Sequence, residues 1–219
     1  MAIVRLVVSR GRNGKKSDTS GMVQVRAFNG LTFYLGESRI SIIWGSQKAR
    51  LLFCSLLVTY DHWVHRDKLI EILWPGCDVA CGVNNFKTTL SRLRKSFSGA
   101  QAIHPVITQG EAIRINSALI SLDASEFHAH ATMGIKMFAR GDLKAARQLL
   151  EAAQDLYTGE FLPEEPFHSY LTTARKEYAD LNVSVITTLS RIYQHEGNAD
   201  ALDAIRFLIK VPEHGISPT

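Results

Sequence analysis

The chain has 219 residues, of which 46% are hydrophobic and 21% charged, and this composition is ordinary for one or two packed domains. It excludes wholesale disorder, and no stretch reaches the roughly 18 consecutive apolar residues that a membrane span needs. The first residues show no signal-peptide pattern, so we expect a soluble cytoplasmic protein with no membrane partner.

Charge is divided unevenly along the chain. Residues 1–122 hold 16 Lys and Arg against 7 Asp and Glu, a net charge of +9. Residues 123–219 hold 9 Lys and Arg against 14 Asp and Glu, a net charge of −5. This asymmetry predicts that the first part meets a polyanion and that the acidic part has another task.

Residues 1–21 are interpreted as a basic, flexible lead-in to the first domain. The stretch VVSRGRNGKKS is similar to the phosphate-binding loop G-x-x-x-x-G-K-[ST], but Ser9 and Lys16 stand where that motif requires a glycine and a hydroxyl residue. We therefore expect only nonspecific phosphate contacts from this segment.

The next elements predict a small sheet followed by two helices. Short β-prone runs between residues 22 and 43, separated by Asn29-Gly30 and Leu35-Gly36, indicate an antiparallel sheet. A helix over residues 46–60 begins at a Ser46 cap and carries buried leucines. A second helix over residues 65–75 ends at its proline.

The stretch NNFKTTLSRLRKSF, residues 84–97, predicts an amphipathic third helix with four bases and no acid. Its apolar stripe consists of Phe86, Leu90, Leu93 and Phe97. Its polar side and flanks carry Asn84, Lys87, Thr88, Ser91, Arg92, Arg94 and Lys95. These residue types suit phosphates and base edges, although a solvated surface helix also carries Lys and Arg. The helix alone does not decide between the two.

The elements around this helix favour DNA binding. The connection over residues 75–83 is longer than the turn of a simple helix-turn-helix, and a hairpin is predicted over residues 102–122 with its turn at Gln109-Gly110. A sheet, three helices and a hairpin in this order indicate a winged helix. In that fold the third helix enters the major groove and the hairpin, or wing, lies beside it on the backbone.

After residue 122 the pattern becomes helical. Residues 124–139 and 141–157 predict a helix hairpin of the tetratricopeptide kind, turning at residues 140–142. A long helix over about 167–194 and a second turn at Gly197-Asn198 follow. Such acidic, alanine-rich helices suit either a partner-binding or dimerising surface or a simple packed bundle.

Two kinds of reactive site were considered in the sequence. The three cysteines, Cys54, Cys77 and Cys81, are an odd number that fits reduced thiols, and their spacing with His62 and His65 matches no common zinc module. We expect no metal and no cofactor.

A catalytic site is also not expected. His128 and His130 lie near Asp123 and Glu126, but a polar helix start explains this group more simply than acid-base chemistry. We expect that the protein is not an enzyme.

Three stretches in order carry a family resemblance. KARLLFCSLLVTYDHWVHRDKLIEILWP, then NNFKTTLSRLRKSF, then LDASEFHAH with GDLKAARQLLEAAQDLYTGEFLPE resemble the Streptomyces antibiotic regulatory protein (SARP) family of bacterial activators. The resemblance covers roughly residues 22–210. It implies a winged-helix DNA-binding domain over residues 22–122 and a bacterial transcriptional activator domain with tetratricopeptide-like helices over residues 123–219.

The resemblance also implies a function and its residues. Members bind direct repeats in double-stranded promoter DNA, usually as a pair of protomers, and recruit RNA polymerase. The implied DNA-binding residues of the third helix are Asn84, Lys87, Thr88, Ser91, Arg92, Arg94 and Lys95. Those of the wing are Gln109, Gly110 and Arg114, and the loop that would touch polymerase holds Pro75, Gly76, Asp78, Val79 and Gly82. The Gly-Tyr pair common in the wing is replaced here at residues 111–113.

An alternative function remains open at this point. The helical half could be the working surface of a protein interaction module, with the winged helix serving as a platform. The net charge of +9 in the first part argues against this alternative.

Overall fold

The computed structural model describes residues 22–98, 103–165 and 169–210, so the lead-in predicted over residues 1–21 lies outside it. Two compact units are present: the first combines residues up to Asp123 with Leu162–Thr172, and the second combines Ala124–Phe161 with the residues from Thr173 onward. The fold is mainly helical with small sheets, as the sequence predicts.

The elements of the first unit follow the predicted winged-helix order. The strands are β1 (Val23–Arg26), β2 (Thr32–Leu35), β3 (Ser38–Ile40), β4 (Val64–His65), β5 (Val106–Gln109), β6 (Ala112–Ile115) and β7 (Ile120–Leu122). The helices are α1 (Gln47–Val58), α2 (Arg66–Leu73) and α3 (Val79–Ser96).

The predicted N-terminal sheet is confirmed and gains one strand. Strands β1, β2 and β3 pair antiparallel, and their turns place Asn29, Gly30 and Gly36 at positive φ. Strand β7, which the sequence assigns to the end of the wing hairpin, instead pairs parallel to β1, with Val23 opposite Ile120. The chain therefore returns to its first sheet before the second unit begins.

The wing is the predicted hairpin. Strands β5 and β6 pair antiparallel with Gln109 opposite Ala112, and Gly110 takes a φ of +57° at the turn. Strand β4 adds to the other side of β6, so the wing belongs to a three-stranded sheet in the order β4-β6-β5.

Aromatic side chains form the centre of the first unit. Phe33, Trp44, Phe53 and Phe97 pack with ring centroids 5.2 to 6.0 Å apart. They come from β2, the loop between β3 and α1, α1 itself and the end of α3. Because Phe97 caps α3 and is buried, the C-terminal end of that helix is anchored in the core.

The buried carboxylate of Asp123 binds the backbone that follows β1. Asp123 accepts hydrogen bonds from the backbone N–H of Ala27, at 2.9 and 3.0 Å to its two oxygens, and from that of Phe28 at 3.2 Å. These donors lie directly after β1, where the sheet ladder has ended, so the carboxylate supplies the partners that the backbone needs.

The segment Leu162–Thr172 belongs to the first unit although it follows two helices of the second. The Leu162 N–H donates to the Ala27 carbonyl at 2.8 Å, and the buried Glu165 pairs with Arg50 at 2.9 Å. Glu164 accepts the Leu31 N–H at 3.0 Å. The stretch EFLPE, used above for the resemblance, thus has a structural role.

Most of the described residues of the second unit lie in four helices, two of which begin at residues of the first unit. They are α4 (Asp123–Ala139), α5 (Leu143–Leu156), α6 (Ser169–Glu196) and α7 (Ala199–Lys210), with turns at Gly141 and Gly197 as predicted. Helices α4 and α5 approach closely at Gly134, where an added Cβ would lie 2.7 Å from Leu150 Cγ. Within the described residues, none of the helices is long and apolar enough to cross a lipid bilayer.

Candidate nucleic-acid interface

Helix α3 separates its apolar and polar residues as predicted. Phe86, Leu90, Leu93 and Phe97 are all buried, with at most 9% of each residue exposed. The exposed residues on the other side are Asn84, Lys87, Thr88, Ser91, Arg92 and Lys95. The helix therefore uses one side for the core and leaves the candidate DNA-binding side free for a ligand.

The bases of this exposed side are Lys87, Arg92 and Lys95. Within the part of the chain that the structure describes, no ion pair involves Lys87, Arg92 or Lys95. Unpaired cations on one exposed helix face produce a local positive potential. Such a surface attracts phosphates without first breaking an internal salt bridge.

The backbone around α3 holds this face in place. The Arg92 stem lies beside the loop before α1, where a Cβ added to Gly45 would be 3.2 Å from Arg92 Cβ. The Gly45 N–H also donates to Ser96 Oγ at 3.1 Å. Any larger residue at position 45 would push against the stem of Arg92, so this glycine fixes how closely the loop approaches the helix.

The structure brings α3 and the wing together through Arg94. This side chain is half-buried, and its Nη2 donates to Thr108 Oγ1 on β5 at 3.3 Å. Arg94 is thus engaged with the wing, unlike its neighbour Lys95. We interpret it as a residue that positions the wing beside the helix.

The three predicted wing residues differ in their surroundings. Gln109 and Gly110 are exposed at the hairpin turn. Arg114 is half-buried, and its guanidinium carbon lies 4.9 Å from the centre of the Trp63 ring. This stacking orients the planar guanidinium. Trp63, which is 41% exposed, was missed in the sequence.

The acidic residue at the wing turn is already neutralised. Glu111 pairs with Arg66 at 2.7 Å and lies 3.3 Å from His65 Nε2, both at the start of α2. Its backbone carbonyl also accepts the Arg66 N–H at 2.8 Å. The wing turn is therefore fastened to α2, and the carboxylate adds little net repulsion toward a phosphate.

The loop predicted over residues 75–83 is shorter than expected. Helix α3 begins at Val79, because the Asp78 side chain caps it by accepting the Cys81 N–H at 2.9 Å. Gly82, placed in the loop from the sequence, is a buried helical residue against Ile70. Pro75, Gly76 and Asp78 remain exposed in the connection, and Val79 is 81% exposed at the first helical position.

The residues considered for other chemistry are dispersed. Cys77 and Cys81 lie close to Asp78, whereas His65 lies in a separate group with Asp67 and Glu111. Within the described residues, the histidine and cysteine pairs therefore do not come together as one set of four metal ligands.

The polar residues near His128 do not share one environment. Asp123 is occupied by the backbone hydrogen bonds after β1, and His128 and Glu126 are exposed on α4. The polar helix start considered in the sequence thus includes a carboxylate with a structural task.

Comparison with known families finds a match over residues 122–209 to the bacterial transcriptional activator domain. This match agrees with the bacterial transcriptional activator domain that the SARP resemblance implies for the helical part of the chain. The fold is similar to the solved structure of Mycobacterium tuberculosis EmbR in complex with a low-affinity phosphopeptide, with a TM-score of 0.68 and 19% sequence identity. The match covers 86% of this chain and 49% of the EmbR chain, so this chain spans about half of that length. No curated protein sequence matches the chain.

The two comparisons cover different properties. The family match concerns the helical part of the chain, and the EmbR likeness, at its low identity, concerns the fold. The first supports a bacterial transcriptional activator domain over residues 122–209, and the second supports the architecture of the chain.

Proposed function

We propose that the protein is a sequence-specific regulator that binds double-stranded promoter DNA through its winged helix and activates transcription. The observation that carries this proposal is the exposed side of α3, where Lys87, Arg92 and Lys95 form no ion pair with any residue that the structure describes, while the opposite side is buried. An exposed helix with this division can enter a major groove without rearranging the core.

The roles of the side chains follow from their chemistry. Arg92 can donate two parallel hydrogen bonds to a guanine edge, and Asn84 can both donate to and accept from an adenine. Lys87 and Lys95 supply compact charges for phosphates, and Thr88 and Ser91 have hydroxyls for either contact. The wing contacts the adjacent DNA backbone through Gln109, Gly110 and Arg114.

The remaining parts of the proposal concern partners. The exposed connection with Pro75, Gly76, Asp78 and Val79 is the proposed contact for RNA polymerase, and two protomers occupy a direct repeat as a homodimer on DNA. The helical domain, residues 123–219, supports this assembly, and the winged-helix domain over residues 22–122 binds the operator. The protein acts in the cytoplasm and has no catalytic role.

The DNA-binding proposal is tested with fluorescence anisotropy of the full chain on duplexes from its own upstream region, across a salt series. Arg92→Ala with Lys95→Ala should weaken binding by about 100-fold or more, because one base contact and one phosphate contact are lost. The slope of log affinity against log salt should become shallower by about one unit for each lost phosphate contact.

A matched control removes the same charge elsewhere. Lys136→Ala with Lys144→Ala changes two exposed bases of the helical unit and should leave the affinity nearly unchanged. Equal losses in the two double variants would mean that net charge, and not the α3 face, governs binding. Unaltered affinity in the α3 variant would refute the proposed interface.

The proposed polymerase contact is tested with a point substitution in the full chain and not with a truncation. Deleting residues 123–219 would remove the Asp123 carboxylate and Leu162–Thr172, which the first unit requires. Val79→Ser keeps a compatible helix start and should lower activated transcription in vitro while DNA affinity stays constant. Full activation by this variant would exclude Val79 from the polymerase contact.

A further inference from the structure

Two thiols and a carboxylate meet between α2 and the start of α3. The Sγ atoms of Cys77 and Cys81 and a carboxylate oxygen of Asp78 all lie within 4.8 Å of one another. The Cys77 thiol donates to the Asp78 backbone carbonyl at 3.3 Å, so it lies against the same turn. Two sulfurs bound to one tetrahedral zinc ion at about 2.3 Å would stand roughly 3.8 Å apart, so little movement is needed.

Local backbone structure fixes this arrangement. Asp78 caps α3 by accepting the Cys81 N–H, and the Cys77 N–H bonds to the Trp74 carbonyl at 3.1 Å. The turn includes Gly76 at a φ of +78°. The two thiols and the carboxylate therefore lie on a short turn that is joined directly to a helix. Their backbone positions do not depend on a long flexible loop.

The glycine at position 82 permits this packing. A Cβ at Gly82 would stand 2.6 Å from Ile70 Cγ2 and 3.8 Å from Cys77 Sγ. With no side chain there, the first turn of α3 lies against α2 and Cys77 lies against that turn. This glycine was assigned to a loop in the sequence, where its packing could not be recognised.

The surroundings of the thiols suit a metal ligand set. Cys81 and Asp78 are exposed and Cys77 is half-buried, so an ion can enter from solvent. Asn85 Nδ2 donates to Cys81 Sγ at 3.4 Å, which is the type of outer hydrogen bond that orients a metal-bound sulfur. Soft thiolates select zinc or related ions over magnesium and calcium.

Two other groups in the chain lack these properties. Asp67 and Glu111, which lie near His65, already hold the Arg66 guanidinium at 3.2 and 2.7 Å, so a cation is present there. Cys54 is fully buried, and burial raises the pKa of its thiol well above the ordinary value. The Cys77 and Cys81 pair combines proximity, access and an outer hydrogen-bond donor.

We propose that Cys77, Cys81 and Asp78 form a binding site for a thiophilic divalent metal ion of the zinc class, with a water molecule as fourth ligand. Binding forms two metal–sulfur bonds and one metal–oxygen bond, and releases the two thiol protons to solvent. The proposal departs from the absence of a metal expected from the sequence and does not depend on DNA binding.

The test titrates the reduced full chain, kept in a non-thiol reductant, with cadmium and then with zinc as competitor. Cadmium should produce a sulfur-to-metal charge-transfer band that saturates at one equivalent, and zinc should displace it. Cys77→Ser and Cys81→Ser should each remove most of the band and weaken binding by about tenfold or more.

Two control variants separate the ligands from the fold. Cys54→Ser should keep the band, because that thiol is buried elsewhere. Asp78→Ser retains a good helix cap and removes the carboxylate, so it should weaken binding while circular dichroism stays unchanged. No saturable band in the wild type, a band that survives both single cysteine variants, or an unchanged affinity in Asp78→Ser would overturn the proposed site.

Discussion

The charged side chains of α3 and those of α5 have different surroundings. On α3, Lys87, Arg92 and Lys95 are exposed and form no ion pair within the described residues. On α5, Arg147 pairs with Glu151 at 2.8 Å and with Glu196 at 3.0 Å. Within the described residues, the α3 cations remain exposed to solvent, whereas Arg147 is engaged inside the fold.

Pairing determines what a charged side chain contributes to the molecule. An internal partner lowers the free energy of the folded chain but occupies the charge, whereas an unpaired exposed charge contributes little to stability and remains available to bind. Substitutions should therefore separate into those that change stability and those that change binding.

The largest stability effect is expected for a buried charge of the first unit. Asp123→Ala removes the acceptor for the N–H groups of Ala27 and Phe28, which are buried and would be left without it. Hydrogen bonds to a charged group contribute about 1.5 to 3 kcal/mol, so the variant should lose about 3 kcal/mol of unfolding free energy. Urea denaturation followed by tryptophan fluorescence measures this loss.

Asp123→Asn is the matched control for shape. It keeps one acceptor oxygen and nearly the same volume, so its loss should be roughly half as large. A loss below about 1 kcal/mol in the alanine variant would mean that water replaces the carboxylate, and Asp123 would then not be essential to this unit.

A smaller effect is expected on α5. Arg147→Met removes the cation shared by Glu151 and Glu196 and should lower the melting temperature by about 2 °C, since the pairs are partly exposed. Lys95→Met, which breaks no ion pair on α3, should leave the melting temperature unchanged but weaken DNA binding. Differential scanning fluorimetry and anisotropy on both variants give the comparison directly. The reverse result would show that pairing does not separate the two helices.

Much of the local structure follows from short-range sequence patterns. Ser46 caps α1 as predicted, the apolar stripe of α3 is buried, and the turns at Gly110, Gly141 and Gly197 occur where expected. Each of these features depends on side-chain chemistry within a few residues, so its signal is present in one stretch of sequence.

Features that depend on distant partners were not predictable in this way. The parallel pairing of β7 with β1 joins residues far apart in the chain, and Leu162–Thr172 returns to the first unit after two helices. The early start of α3 depends on an aspartate cap followed by Gly82, a residue that propensity assigns to a loop. The hydrogen bond from Arg94 to Thr108 on the wing also joins two separate elements, so the sequence did not predict it.

The smallest expected effect uses pH to test the paired network of the second unit. Tyr193 donates to Glu151 at 2.8 Å, and burial followed by that hydrogen bond raises the pKa of its phenol from 10.0 to about 12. Because the folded state holds this proton more tightly than the unfolded state, the contribution to stability is complete below pH 10 and is lost as pH rises toward about 12.

Tyr193→Phe removes this titration while keeping the ring that Arg147 contacts at 5.6 Å. The wild type should exceed the variant in melting temperature at neutral pH, and the difference should shrink by about pH 11. Other groups titrate in both proteins and cancel in this difference. A gap that stays constant across the range would show that the phenol proton is not shared with Glu151, and the internal network would then consist of Arg147 and its two carboxylates alone.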